Sequence, residues 1–146
     1  MDDSLDKIVA IEDAHEQARP FMVFFSDAFA KADYESVVRQ TVDALTRSGK
    51  DAYAVVATAN RLFEAVAHQQ MTTGLCLMVE LCPYAGEAFA HDVWDSVGLW
   101  LCHEGNQELL AYLTRRKAAV TSEDQMPIPF DWIDELADKV HGHGPA

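Results

Sequence analysis

The strongest constraint on this chain is a helical repeat of apolar side chains between Asp51 and Met71. At about 100° per residue, the apolar positions of this segment fall within one arc of roughly 120°. They are Ala52, Val55, Val56, Ala59, Leu62, Phe63 and Val66. Arg61, Glu64 and His68 fall on the opposite side. The pattern predicts a helix with one face packed on a core and the other face in water.

The amino-terminal part carries helix signals that meet at a proline. A first helix, capped by Asp3 or Ser4, is expected through Arg19. Pro20 suits the first turn of a second helix over Phe21–Lys31, because proline lacks the N–H that a first turn leaves unbonded. A β-strand over Phe21–Phe25 is the alternative, although no partner strand is evident.

The segment Leu75–Cys82 is apolar on all sides except at Glu80. Such a run is typical of a central helix covered by its neighbours or of a buried strand, and periodicity alone does not separate the two. The helical pattern on both sides favours the helix. Pro83 is expected to end it, because proline removes a backbone donor and clashes with the preceding turn.

The remaining segments also carry helix signals. Asp33 is the expected N-cap of a helix that ends at Gly49. A two-faced apolar pattern extends from Tyr84 to His103, and another helix is expected after Asn106. A last helix is expected to begin at Asp131, after a proline-containing linker.

The composition indicates a folded chain of this kind. Hydrophobic residues make up 49% of the 146 positions, which is too many for a disordered polar chain. A domain of this size buries roughly 68–70% of its unfolded surface without metal or disulfides. The sequence therefore predicts an all-α fold, a single-domain bundle of about seven or eight short helices over residues 1–140, with a flexible tail over 141–146.

The net charge of −13 limits the partners that this chain can bind. Nucleic acids and anionic membranes are disfavoured, because their phosphates require clustered Lys and Arg. The attraction is instead towards a basic protein. An acidic amino terminus and three cysteines without a disulfide framework predict a cytoplasmic protein, and the oligomeric state is left open.

Motifs for catalysis or metal binding are weak. Glu12 and His15 have the Glu-x-x-His spacing of di-metal helical bundles, but such a site needs a second motif and two more carboxylates. Two other pairs, Glu64 with His68 and Glu87 with His91, are spaced four apart. Phosphate-binding glycine loops and hydrolase or zincin motifs are absent. We therefore expect no enzyme, no catalytic residues, no cofactor and no metal.

Two acidic surfaces are the candidate binding sites for a protein partner. The first lies on the expected terminal helix, where carboxylates adjoin an aromatic side chain that can anchor a contact. Its residues are Asp131, Trp132, Asp134, Glu135 and Asp138. The second is an acidic stripe formed by Glu87, Asp92 and Asp95, on the polar side of the segment that contains them.

Size, charge and the lack of catalytic motifs make the chain analogous to immunity proteins, the small acidic inhibitors that neutralise bacterial toxins. An anionic inhibitor is steered to a basic active-site cleft and then occludes it. One alternative is a DNA mimic that blocks a nucleic-acid-binding defence protein. Another is a helical-bundle enzyme or metal-binding protein that uses Glu12 and His15.

Overall fold

The computed structural model describes residues 3–85, the helical residues 89, 92, 93 and 95, and residues 107–119. Seven helices have described bounds, residues 89, 92, 93 and 95 are also helical, and no described residue lies in a strand, so the all-α prediction is confirmed. The helices are α1 Asp3–Val9, α2 Ala14–Phe24, α3 Ser26–Ala30, α4 Tyr34–Arg47, α5 Ala52–Gln69, α6 Met71–Ala85 and α7 Gln107–Ala119. Backbone contacts group the chain into two compact units, Met1–Leu81 and Cys82–Ala146. The single domain over residues 1–140 and the tail over 141–146 stay predictions.

The amino-terminal break lies at residues 10–13, and the predicted break at Pro20 is wrong. Asp13 Oδ1 accepts hydrogen bonds from the backbone N–H of His15 at 2.8 Å and of Glu16 at 3.1 Å, which starts α2. Pro20 lies inside α2. Its cost in a helix interior is about 3 kcal/mol, and the complete burial of the neighbouring Phe21 offsets it.

The strand alternative over Phe21–Phe25 is also excluded, because α2 runs through Phe24 and Phe25 continues into α3. These aromatic side chains form the centre of the first unit. The ring centroids of Phe21 lie 5.0 Å from Phe25, 6.0 Å from Phe63 of α5 and 6.1 Å from Phe29 of α3. Edge-to-face and tilted pairs at such distances add to the area that the rings bury.

A buried side chain ties α1 to α2. Gln17 is 2% exposed, and its Nε2 donates a hydrogen bond of 3.0 Å to the carbonyl oxygen of Ile8. The same carbonyl oxygen also accepts the backbone N–H of Ile11 at 3.1 Å, so it has two hydrogen-bond donors at the end of α1. The seven-residue α1 is too short to be stable alone, so it depends on such contacts.

The local signals predicted for α4 are confirmed, and α5 begins with a cap of the same kind. Asp33 Oδ1 accepts from the backbone N–H of Ser36 and Asp51 Oδ1 from that of Ala54, so both aspartates are N-caps. Gly49 has a φ of +96°, the left-handed conformation expected after the end of a helix.

The predicted apolar arc of α5 is confirmed at five of its positions, Val55, Ala59, Leu62, Phe63 and Val66, which are buried. Val56 is half-buried, and Ala52 is exposed because it lies in the first turn. The polar side chains of Arg61, Glu64 and His68 are exposed, as predicted.

The connection from α5 to α6 is very short. α5 ends at Gln69 and α6 begins at Met71, so Thr72, Thr73 and Gly74 lie in the first turn of α6. Only Gln70, in an extended conformation, separates them. A Cβ on Gly74 would overlap the Cα, Cβ and backbone nitrogen of Ala67, so this glycine permits the first turn of α6 to pack against the last turns of α5.

The segment Leu75–Cys82 is helical and buried throughout, including Glu80, which confirms the helical alternative. Pro83 does not end the helix, however, because α6 continues through Ala85. The proline lacks one backbone hydrogen bond, but Leu81 and Cys82 immediately before it are completely buried and hold the helix in place.

In the second unit, α7 begins at Gln107, immediately after the predicted cap position 106. Leu109, Leu110 and Leu113 of this helix are buried. The guanidinium carbon of Arg115 lies 5.3 Å from the ring centroid of Tyr112, within cation–π range. The expected helix after Asp131 lies outside the described residues.

Candidate functional site

Part of the predicted acidic stripe is described, and it has the predicted exposure. Asp92 and Asp95 are helical and exposed, whereas Val93 between them is 4% exposed. Two carboxylates one turn apart therefore share the solvent side of this segment. Glu87 and the predicted terminal set, Asp131, Trp132, Asp134, Glu135 and Asp138, lie outside the described residues.

At least four of the thirteen acidic side chains of the first unit have structural roles. Asp13, Asp33 and Asp51 are N-caps, which satisfy free backbone donors and complement the helix dipole. Asp6 forms an ion pair with Arg47, with 3.0 Å between Oδ1 and Nη2. Part of the acidic composition is therefore explained by local folding rather than by binding.

A cleft of about 620 Å³ lies between the α1–α2 connection, the α4–α5 turn and α5. Its polar lining includes Glu12, Asp13, His15, Ser48, Lys50, Thr58 and Arg61. Lys50 and Arg61 are exposed, and neither forms an ion pair with another residue of the described ranges. The lining of this cleft therefore contains both cationic side chains, Lys50 and Arg61, and anionic ones, Glu12 and Asp13.

Two histidines approach each other beside this cleft. The ring centroids of His15 on α2 and His68 on α5 lie 5.7 Å apart, with 45° between the ring planes. Both side chains are exposed. On α5, Glu64 lies one turn before His68 and accepts a hydrogen bond of 3.1 Å from Asn60 Nδ2. Packing of α2 on α5 thus joins two residues that are far apart in the sequence.

The pairing differs from the one that spacing suggested. Glu12 lies in the connection before α2, whose first residue is Ala14, so Glu12 and His15 do not form a Glu-x-x-His motif on one helix. Within the described parts of the chain, no three His, Cys, Asp or Glu side chains are grouped closely enough to hold a metal ion. The predicted pair of Glu87 and His91 lies outside the described residues.

The sequence contained only an indirect signal for the histidine pair. His15 follows the Asp13 cap, and His68 lies on the polar side of α5, so each is exposed for a local reason. Their proximity depends on which faces of α2 and α5 pack together. Hydrophobic periodicity gives each face but not the register between them.

No protein-family model matches this sequence, and no curated protein or solved structure matches it either. The function must therefore be argued from the charges and geometry of the chain itself. Among the helices that the structure describes, none combines the length and the apolar character that crossing a bilayer requires.

Proposed function

We propose that this chain is an acidic protein-binding inhibitor, most simply an immunity protein that occludes the basic active-site cleft of a toxin. The observation that carries the proposal is the acidic stripe, in which Asp92 and Asp95 are exposed on either side of the buried Val93. This arrangement anchors the segment by its apolar side and presents both carboxylates on the solvent side, where a cationic surface of a partner can reach them.

The distribution of charge favours the second unit as the binding surface. Residues 1–81 contain thirteen acidic and seven basic residues, a net charge of −6, whereas residues 82–146 contain eleven and four, a net charge of −7. The excess is thus larger in the shorter part. In the first unit, three aspartates are helix caps and Asp6 is paired with Arg47.

The expected mechanism has two stages. The negative field first raises the association rate with a basic partner by roughly 10- to 1000-fold over neutral association, an effect that salt screens. Carboxylates then pair with the basic residues of the partner and cover its active site, while the proposed aromatic anchor Trp132 supplies apolar contact. Nucleic acid is not the expected partner, since phosphates would be repelled.

The expected setting is the cytoplasm. Cys76 and Cys82 are buried thiols, and disulfides are rare in that compartment. The proposal requires no cofactor and no catalytic residue of this chain.

The test begins with a pull-down from host lysate at low and high salt, followed by identification of any basic protein that is captured only at low salt. Association rates with that protein are then compared for the wild type and for the charge-reversal variant Asp92→Lys/Asp95→Lys. We expect at least a tenfold lower rate and a weaker salt dependence, because four units of charge are changed at the interface.

A matched control carries the same change of charge elsewhere. Asp27 and Asp43 are exposed residues of α3 and α4, so Asp27→Lys/Asp43→Lys should lower the rate much less. Equal rates for the two double variants would remove the acidic stripe from the interface. A captured nucleic-acid-binding protein without toxic activity would favour the DNA-mimic alternative instead.

A further inference from the structure

The contact between His15 and His68 has a geometry that suits a shared ligand. The imidazoles come from two different helices, and their centroids are 5.7 Å apart with ring planes inclined at 45°. We propose that His15 and His68 form a two-histidine binding site for a divalent transition-metal ion of the zinc type. This inference is independent of the proposed inhibitor function.

Bond lengths support the spacing. A zinc–nitrogen bond of about 2.1 Å places the metal roughly 3.2 Å from the centre of each imidazole ring. Two rings that share one ion at a tetrahedral angle then have centroids about 5.2 Å apart, close to the observed 5.7 Å. Both side chains are exposed, so a small rotation about their side-chain bonds closes the difference without disturbing the core.

The surrounding charges favour a cation on balance. Glu64 lies one turn from His68 on α5, and Glu12 and Asp13 line the cleft together with His15. Lys50 and Arg61, which line the same cleft, oppose these three carboxylates. The net charge of −13 raises the local concentration of cations around the whole chain.

The class of ion follows from the donors. Neutral imidazole nitrogen is a good ligand for zinc, copper and nickel, whereas Mg²⁺ and Ca²⁺ prefer several oxygen ligands. With two protein ligands, water fills the remaining positions, so binding should be weaker than in a four-ligand structural zinc site. The ion would link α2 to α5 and thereby stabilise the folded state.

Calorimetric titration with Zn²⁺ in a non-chelating buffer tests the site, with Mg²⁺ as the comparison ion. We expect one Zn²⁺ per chain to depend on this pair and no Mg²⁺ binding. His15→Ala and His68→Ala should each weaken Zn²⁺ binding at least about tenfold, because each removes half of the protein ligands. The control His141→Ala/His143→Ala removes the other closely spaced histidines and should retain the site.

Thermal unfolding supplies a second measurement on the same variants. At a Zn²⁺ concentration about a hundredfold above the dissociation constant, the wild type should gain roughly 5–10 °C in Tm, and neither single-histidine variant should gain as much as half of that. Circular dichroism would verify that these surface variants remain helical.

Several outcomes would overturn the proposal. They are an absence of Zn²⁺ binding to the wild type, a loss confined to the tail variant, or wild-type affinity in either His15→Ala or His68→Ala. Equivalent losses in both single variants would establish the pair as the ligands.

Discussion

Helices α5 and α6 are consecutive, similar in length and both rich in apolar residues, yet they differ in solvent exposure. Of the 18 residues of α5, those on one side are buried and those on the other, such as Arg61 and Glu64, are exposed. Every residue of α6 from Thr73 to Cys82 is buried. The comparison teaches that an amphipathic pattern identifies a helix only where one face is exposed to solvent.

The same contrast explains why α6 was ambiguous in sequence. When all sides of a segment are covered, the alternation between apolar and polar residues disappears, and a helix and a buried strand look alike. Only the helical pattern of the neighbouring segments favoured the correct answer. For α5, the seven apolar positions of the arc already determined the helix and its orientation.

The largest expected effect is on the free energy of unfolding, and it distinguishes α5, which is buried on one side, from α6, which is buried on all sides. Leu75 and Leu77 lie on opposite sides of α6, and both are buried, so Leu75→Ala and Leu77→Ala should each lower the free energy of unfolding by about 2–5 kcal/mol. On α5, Phe63 and Arg61 also lie on opposite sides. Phe63→Ala should cost about 3–5 kcal/mol, whereas Arg61→Ala should stay within about 0.5 kcal/mol.

Urea unfolding monitored by circular dichroism measures all four variants. A small effect at Leu75 together with a large one at Leu77 would mean that α6 is also one-sided, which would contradict the comparison.

An intermediate effect is expected where the two helices touch. Gly74→Ala should lower the free energy of unfolding by about 1–3 kcal/mol, because the new methyl group overlaps Ala67. The expected sign opposes helix propensity, which alone would favour alanine by about 1 kcal/mol. Thermal unfolding gives the sign directly, and a raised Tm would show that the two helices are not in close contact at Gly74.

The smallest effect concerns the start of α5. Asp51→Ala removes the side-chain oxygen that accepts the Ala54 N–H at 2.8 Å, and it should cost about 1 kcal/mol. The control Asp43→Ala removes an exposed carboxylate from the interior of α4, where it should change the free energy of unfolding by less than about 0.5 kcal/mol. Equal values for both variants in chemical denaturation would argue against a capping role for Asp51.

Helix caps and left-handed residues were predictable from the sequence. Whether burial outweighs the cost of a proline inside a helix was not. Asp33 and Gly49 act as the sequence indicated, because a cap or a left-handed residue depends only on its near neighbours. Pro20 and Pro83 were interpreted as boundaries, but both lie within helices. Burial of the adjacent residues compensates for the lost hydrogen bonds, and that compensation is a tertiary effect.

One missed boundary did have a local signal. Asp13 is followed three residues later by Glu16, the spacing of a helix start, and it is the N-cap of α2. The histidine pair had no comparable signal, since it arises from the packing of α2 on α5. For the acidic stripe, the exposure of Asp92 and Asp95 was predictable from the two-faced pattern around Val93, whereas its role in binding stays a prediction.

Because Gln17 donates a hydrogen bond to the carbonyl oxygen of Ile8, removal of the amino-terminal residues should lower the stability of the fold. Deletion of α1 would remove the acceptor of the Gln17 amide, at a cost of about 1 kcal/mol for the hydrogen bond, together with the buried side chains of Leu5, Ile8 and Val9. The opening segment is therefore part of the folding unit that it precedes. Fusions and truncations intended to be silent should leave residues 3–9 intact.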